Sequence, residues 1–372
     1  MSSALFSPIS LRALTLPNRI VVSPMCQYNS VEGSATDWHI LQLGQFSLGG
    51  SGGLVMTEAT NVNMVGRITL KCATLCTDDN ERALKRIIDF CRQYGVARHG
   101  IQLGHAGRKG STLPPALGGK PLTEEQGAWQ TVAPSALAYD QGWHVPRAMT
   151  LDDIAELKAD YVAAVGRAER IGYDLIELHA GHGYLMHQFL SPLSNVRTDA
   201  YGGSLENRMR LLLETFAAAR AAWPQDKPMG VRVSATDWVD GGWTIADTIV
   251  LARELKALGC DYIDASSAAL DPRQKIPLSP GYQVPFAEAV RREAHIPTMA
   301  IGLITGVRQA EEIIASGKAD FICMARGAMW DPRWAWHAAE ELGAEAPYAP
   351  RAMPAHPNAR PSVFPNRQKP AA

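Results

Sequence analysis

The run His179-Ala180-Gly181-His182-Gly183-Tyr184 sets two imidazoles three residues apart, with a phenol close behind. A His-x-x-His pair is half of a zinc site. Its glycines, however, do not suit a regular helix that would hold both rings on one face, and no third ligand of suitable type lies nearby. No metal is expected. Two imidazole N–H groups can instead cradle the oxygen of a developing enolate, and a phenol, neutral at pH 7, can deliver a proton. A hydrogen-bonded structural histidine pair is the plainer alternative. A second group, Gly302 with Ala325-Arg326-Gly327, reads as a phosphate site: glycine lets the backbone approach, amides at a helix start point at an anion, and arginine adds a clamp. Taken alone it says phosphate and no more. Arg232 and Gln102 make a third group. A cation inside a strand is costly unless paired. An internal Asp or Glu could pair with Arg232, and so could an anionic reduced isoalloxazine, whose pyrimidine edge Gln102 can both donate to and accept from.

These residues need a frame that brings them together. Short apolar runs without clean polar alternation predict strands at Ile20–Val22, Leu54–Thr57, Gly100–Leu103, Asp174–Leu178, Met229–Val233, Tyr262–Asp264, Thr298–Ala300 and Asp320–Cys323. Helical patterns alternate with them. Thr150 with Asp153 and Thr244 with Asp247 fit capping boxes, Ser204 and Thr305 fit helix starts, and Pro224 ends the helix that begins near Ser204. Eight strands alternating with helices predict an α/β fold, a (β/α)8 TIM barrel in a single domain over residues 1–343. No GxGxxG opens a helix after an early strand, which disfavours a dinucleotide-binding fold. A long loop insertion, about 104–149, follows strand 3. A capping loop is expected at 266–285, and a proline-rich, extended or partly disordered tail at 344–372. In such a barrel the chemistry stands at the C-terminal strand ends. There the sequence has Ser23-Pro24-Met25-Cys26-Gln27-Tyr28, Glu58-Ala59, Gln102 with His105, Arg108 and Lys109, then His179–Tyr184, Arg232, Gly302 and Ala325–Gly327.

Composition narrows the function classes. With 46% hydrophobic and 20% charged residues and a net charge of -1, the chain gives no reason to expect nucleic acid or a membrane surface as partner. The six cysteines form no CxxC pair and read as free thiols of a reducing cytoplasm. No signal segment or spanning run is visible.

On Ser23-Pro24-Met25-Cys26, on Gln102 through Lys109, on His179 through Tyr184 and on Phe189 through Arg208, the sequence resembles the Old Yellow Enzyme family of FMN-dependent ene reductases. The match is to its bacterial thermophilic-like, or xenobiotic-reductase-like, branch, over about residues 5–343. The resemblance implies non-covalent FMN reduced by NADPH or NADH, and an acceptor with an activated C=C bond, such as an unsaturated ketone, aldehyde, maleimide or nitroalkene. It implies that Ser23, Pro24, Met25 and Cys26 line the flavin and that Cys26 tunes it. Ala59 and Gln102 would bond the ring, Arg232 would sit by N1–O2, and Gly302, Ala325 and Arg326 would hold the phosphate. Tyr28, His179, His182 and Tyr184 would face substrate, with Tyr184 as the acid. The family usually has glycine where Ala325 stands. It also implies a homo-oligomer, dimer or tetramer, in which a tail residue reaches a neighbour's site; Arg351, Arg360, Phe364 and Arg367 are the candidates. A non-catalytic FMN sensor and a flavin barrel acting on dihydropyrimidine-like substrates are the alternatives. An aldolase is disfavoured because no candidate strand offers a Schiff-base lysine.

Overall fold

A computed structural model describes residues 3–359. The strands are β1 (Ile20–Val22), β2 (Leu54–Asn61), β3 (Arg98–Gly104), β4 (Leu175–Ala180), β5 (Met229–Ser234), β6 (Tyr262–Ser266), β7 (Thr298–Ala300) and β8 (Phe321–Met324). Each pairs in parallel with its neighbour and β8 pairs with β1, so the sheet closes and has no edge. The (β/α)8 barrel expected from the alternation is the fold observed.

The helices form the outer layer because each has one apolar face. Leu151–Ile171 buries Ile154, Leu157, Tyr161, Val165, Ala168 and Ile171, starts at a Thr150–Asp153 capping box and stops at Gly172, where φ is 98°. Thr305, expected as a cap, is not one: Gly306 takes that position before Val307–Ala315, without a side-chain bond.

Six strands run further at their C-terminal ends than expected, and two of these extensions carry residues of the expected site. β4 continues through His179 to Ala180, and β2 continues past Thr57 to Asn61 through a bulge between Thr57 and Ala59. Glu58, Ala59 and His179 therefore stand inside strands, on the rigid wall of the barrel, and not on the loops after them. The hairpin Ile9–Leu11/Leu14–Leu16 was not expected. Its Leu11 and Leu16 pack against Leu54, Leu175, Tyr262 and Phe321, which begin or nearly begin their strands. Apolar side chains thus plug the bottom and leave the C-terminal mouth for chemistry.

The 104–149 segment carries only short 3-10 turns and a two-residue ladder, Val132–Ala133 with Arg147–Ala148. Its first residues clamp the loop after β6. Arg108 Nη2 donates to Leu270 O at 3.0 Å, and Lys109 Nζ donates to Ala269 O at 2.8 Å and to His182 O at 2.9 Å. The start of the tail is not extended. Tyr348 stacks on Trp336 with centroids 4.1 Å apart, the Ala349 N–H bonds Leu48 O at 3.1 Å, and Pro350–Ala355 forms a 3-10 turn. The aromatic stack and these hydrogen bonds together hold the start of the tail against the barrel's outer layer. Arg351 lies 6.0 Å from the Tyr94 ring of its own chain; Arg360, Phe364 and Arg367 lie outside the described residues. Among the described residues, no helix is long and apolar enough to cross a membrane.

Candidate active site

Alternation along the strands puts every second side chain into the barrel. On β4 these are Glu177 and His179, on β5 Arg232 and Ser234, on β6 Asp264 and Ser266. The register sets Gln102 beside Glu177, Arg232 beside both His179 and Asp264, and Ser234 beside Ser266. Deepest lies a charged cluster. Arg232 Nε stands 3.1 Å from Asp264 Oδ2, both side chains buried, and Gln102 Nε2 donates to Glu177 Oε1 at 2.8 Å. Burial, then the nearby charge of Asp264, pushes Glu177 up to about 8. Two acids and one guanidinium in a dry interior thus hold a proton between them. Of the two partners considered for Arg232, the internal carboxylate is present, so the cation needs no ligand to balance its charge.

Above this cluster sits the histidine pair. His179 Nε2 and His182 Nδ1 face each other at 3.3 Å, with the rings at 73°. The Tyr184 ring lies edge-on to His179, with centroids 5.2 Å apart. Burial, then the Arg232 charge, drives both imidazoles well below their usual range, so both are neutral at physiological pH. Burial, then Cys26, raises the Tyr184 phenol well above its usual value. The turn that carries them is left-handed at His182 (φ 54°) and Gly183 (φ 72°). A β-carbon at Gly183 would lie 2.1 Å from Ala269 O, so only glycine fits. Behind it the Gly183 N–H donates to His187 Nδ1 at 2.9 Å, and His187 Nε2 stands 2.8 Å from Asp237 Oδ1 in full burial.

The loop after β1 is tied down from two sides. The Ser23 N–H donates to Met324 O at 2.9 Å, and the Gln27 N–H donates to Glu58 Oε2 at 2.9 Å. Glu58 is itself fixed: its Oε1 accepts from His39 Nε2 at 2.9 Å, because His39 Nδ1 already accepts the Thr36 N–H. Cys26, Tyr28 and Tyr184 gather against Ile68, Cys72 and Ala106. Burial, then the Glu58 charge, raises the Cys26 thiol, which stays protonated. Pro24 and Met25 are half-buried, and the Met25 side chain packs against the main core. Ala59 stands opposite Gln102 in the strand register.

A cleft of about 750 Å³, open mouth included, runs from His182 and Ser266 to Gly302, Ala325 and Arg326. Gly302 has φ 109°, and a β-carbon there would crowd the Gln283 side chain at 3.1 Å. Ala325 sits at φ −107°, outside the left-handed region that would favour glycine. Among the described residues no carboxylate pairs with Arg326. The structure thus gathers His179, His182, Tyr184, Cys26 and Tyr28 at one mouth, and His182 with Gly302, Ala325 and Arg326 along one cleft.

Residues 4–345 match the NADH:flavin oxidoreductase / NADH oxidase family. The chain belongs to it. NADPH dehydrogenase of Listeria innocua is 45% identical over 343 residues, 92% of this chain and 96% of that one. NADPH dehydrogenase of Geobacillus thermodenitrificans is 42% identical over 351 residues, 93% and 97% of the two chains. The structure of morphinone reductase superposes with a TM-score of 0.76 at 27% identity, covering 93% of this chain and 91% of that one. This NADH:flavin oxidoreductase is of the Old Yellow Enzyme type, with FMN as cofactor and a reduced nicotinamide as electron source.

Several of its site neighbours were not singled out from the sequence: Glu177, Asp264, Ser266 and the His187–Asp237 pair. A signal existed for three of them. Glu177 precedes His179 by two, Asp264 precedes Ser266 by two, and a polar residue at alternate positions of a buried strand points into the barrel.

Proposed function

We propose that this oxidoreductase reduces activated carbon–carbon double bonds, with NADPH as the donor. The observation that carries the reading is the pair of neutral imidazole nitrogens 3.3 Å apart, beside a protonated phenol and at the head of an anion-suited cleft. The residues present fit FMN. Among the described residues Ser23 Oγ is buried with only the Cys323 thiol beside it, Gly302 leaves a cradle that a β-carbon would fill, and no carboxylate pairs with Arg326 in the same cleft. Gly302, Ala325 and Arg326 would hold the phosphate, while Ser23 to Cys26, Ala59, Gln102 and Arg232 would line the ring. Bound FMN would supply the hydride chemistry that links the nicotinamide to the acceptor's β-carbon.

The rest is the work of the chain. Tyr28, His179, His182 and Tyr184 orient the acceptor. His179 and His182 donate to its carbonyl or nitro oxygen, where negative charge grows, and fixed donors lower a barrier most where charge develops. Tyr184, held neutral by burial, gives its proton to the α-carbon. Cys26, a thiol beside Tyr28 and Tyr184, tunes the site's electrostatics and supplies no nucleophile. The name NADPH dehydrogenase, carried by the Listeria innocua and Geobacillus thermodenitrificans relatives, supports NADPH over NADH.

Anaerobic stopped-flow separates the two halves of the reaction. Reduction by NADPH should outpace reduction by NADH. Replacing His182 by Ala should slow reoxidation by cyclohexenone about a hundred- to thousand-fold, the usual effect of losing one oxyanion donor, and should change the NADPH step little. Unchanged reoxidation in His182→Ala would sink this assignment of the cradle.

A further inference from the structure

We propose that Ser266 is a positioning residue for the histidine cradle: its hydroxyl donates to Nε2 of His182 and so places that ring's N–H at Nδ1, beside the N–H of His179. The inference rests on the reading that His179 and His182 hold the acceptor oxygen.

A neutral imidazole has one N–H, so two neutral rings offer two donors to one oxygen only if both protons sit on the right nitrogens. For His179 the choice is made locally. The Gly181 N–H is directed at its Nδ1 at 3.4 Å, a long contact that favours the ring proton on Nε2, facing His182. For His182 there are two possible arrangements. Its Nδ1 faces His179 at 3.3 Å and its Nε2 faces Ser266 Oγ at 2.7 Å. With the proton on Nε2, His182 would give it to Ser266, and its bare Nδ1 would absorb the His179 N–H. No donor would then remain for substrate. With the proton on Nδ1, both N–H groups point into the site, and Nε2 must accept from Ser266.

The hydroxyl's surroundings select the second arrangement. Its other acceptor is Gln283 Oε1 at 3.4 Å, beyond the 2.5–3.0 Å usual for an O–H donor. Gln283 cannot swing closer, because its Nε2 is held by Ser267 Oγ at 2.9 Å and Tyr282 Oη at 2.7 Å. Ring and hydroxyl are also fixed in space by the same two strands. The His182 N–H donates to Ser234 Oγ at 2.8 Å, Ser234 donates onward to Ala268 O at 3.0 Å, and Ser234 lies beside Ser266 in the β5–β6 register.

The test combines a spectroscopic readout with a double-mutant cycle. In 15N NMR of the apo protein, His182 should show a protonated Nδ1 and a bare Nε2, and Ser266→Ala should reverse them. In the FMN-loaded enzyme, Ser266→Ala should slow reoxidation by cyclohexenone on the order of a hundredfold and weaken the charge-transfer complex with 4-chlorophenol. Ser266→Thr, which keeps the hydroxyl, should restore both. Ser266→Ala combined with His182→Ala should be no slower than His182→Ala alone. A wild-type ring protonated at Nε2, or fully additive losses in the double variant, overturns the role of Ser266 and leaves the cradle standing. If His182→Ala itself changes neither phenol binding nor reoxidation, the cradle falls and Ser266 with it.

Discussion

Gln102 and Glu177 meet amide to carboxyl at 2.8 Å across β3 and β4, in a dry interior that also holds the Arg232–Asp264 pair. Burial, then the Asp264 charge, makes Glu177 a hidden titrating group, although the Gln102 amide works the other way. A carboxyl raised to about 8 leaves the folded chain with more bound protons than the unfolded chain between about pH 4.3 and about 8. Stability therefore falls as pH rises through that window. In the apo protein, Glu177→Gln should gain on wild type as pH rises from 5 to 8, by up to about 1.4 kcal/mol per pH unit. Urea midpoints at several pH values measure it. A gap that does not change with pH would mean that Asp264 carries the proton.

Tyr184 and the histidines should separate by acceptor. Tyr184→Phe removes the acid but not the cradle, so cyclohexenone reduction should slow about a hundred- to ten-thousand-fold. A nitroalkene should still reoxidise the flavin readily, because its nitronate can leave before protonation. Equal slowing with both acceptors would assign Tyr184 to substrate orientation.

Lys109 should hold the loop after β6. Burial, then the Arg108 charge, pushes its amine down to about 7, yet even a neutral amine keeps enough N–H groups for Ala269 O and His182 O. The one net hydrogen bond to that loop amounts to about 1 kcal/mol, so Lys109→Met should speed amide exchange around residues 268–271 on the order of fivefold. Wild-type exchange rates there would show that the Lys109 bond does not hold the loop.

Arg326 should matter for cofactor affinity more than for turnover. A charge-assisted bond contributes about 1.5–3 kcal/mol. Arg326→Ala should therefore weaken FMN binding about ten- to a hundred-and-fifty-fold in a fluorescence titration of apo protein. FMN affinity equal to wild type would move the phosphate elsewhere in the cleft.

Much of the molecule could be read along the chain because the signals are local. Eight apolar runs separated by capped helices announce a closed parallel barrel, since such strands must be covered on both faces and such helices on one. His179, His182 and Tyr184 announce themselves by type and spacing, as does Arg326 beside a glycine. What spacing along the chain cannot express is which residues meet across strands. Asp264 answers Arg232, Glu177 takes the amide of Gln102, Glu58 anchors the Gln27 backbone, and Ser266 reaches His182 from 84 positions away. These pairings follow from strand register and barrel closure, properties of the assembled sheet and of no single segment. The same is true of charge and proton location. Arg232 reads alone as a cation that needs an anion, and only packing shows that a buried carboxylate already stands 3.1 Å away. The imidazoles are neutral because the folded chain removes water from around them and sets a guanidinium nearby, an environment that comes into being only when distant segments close over one another.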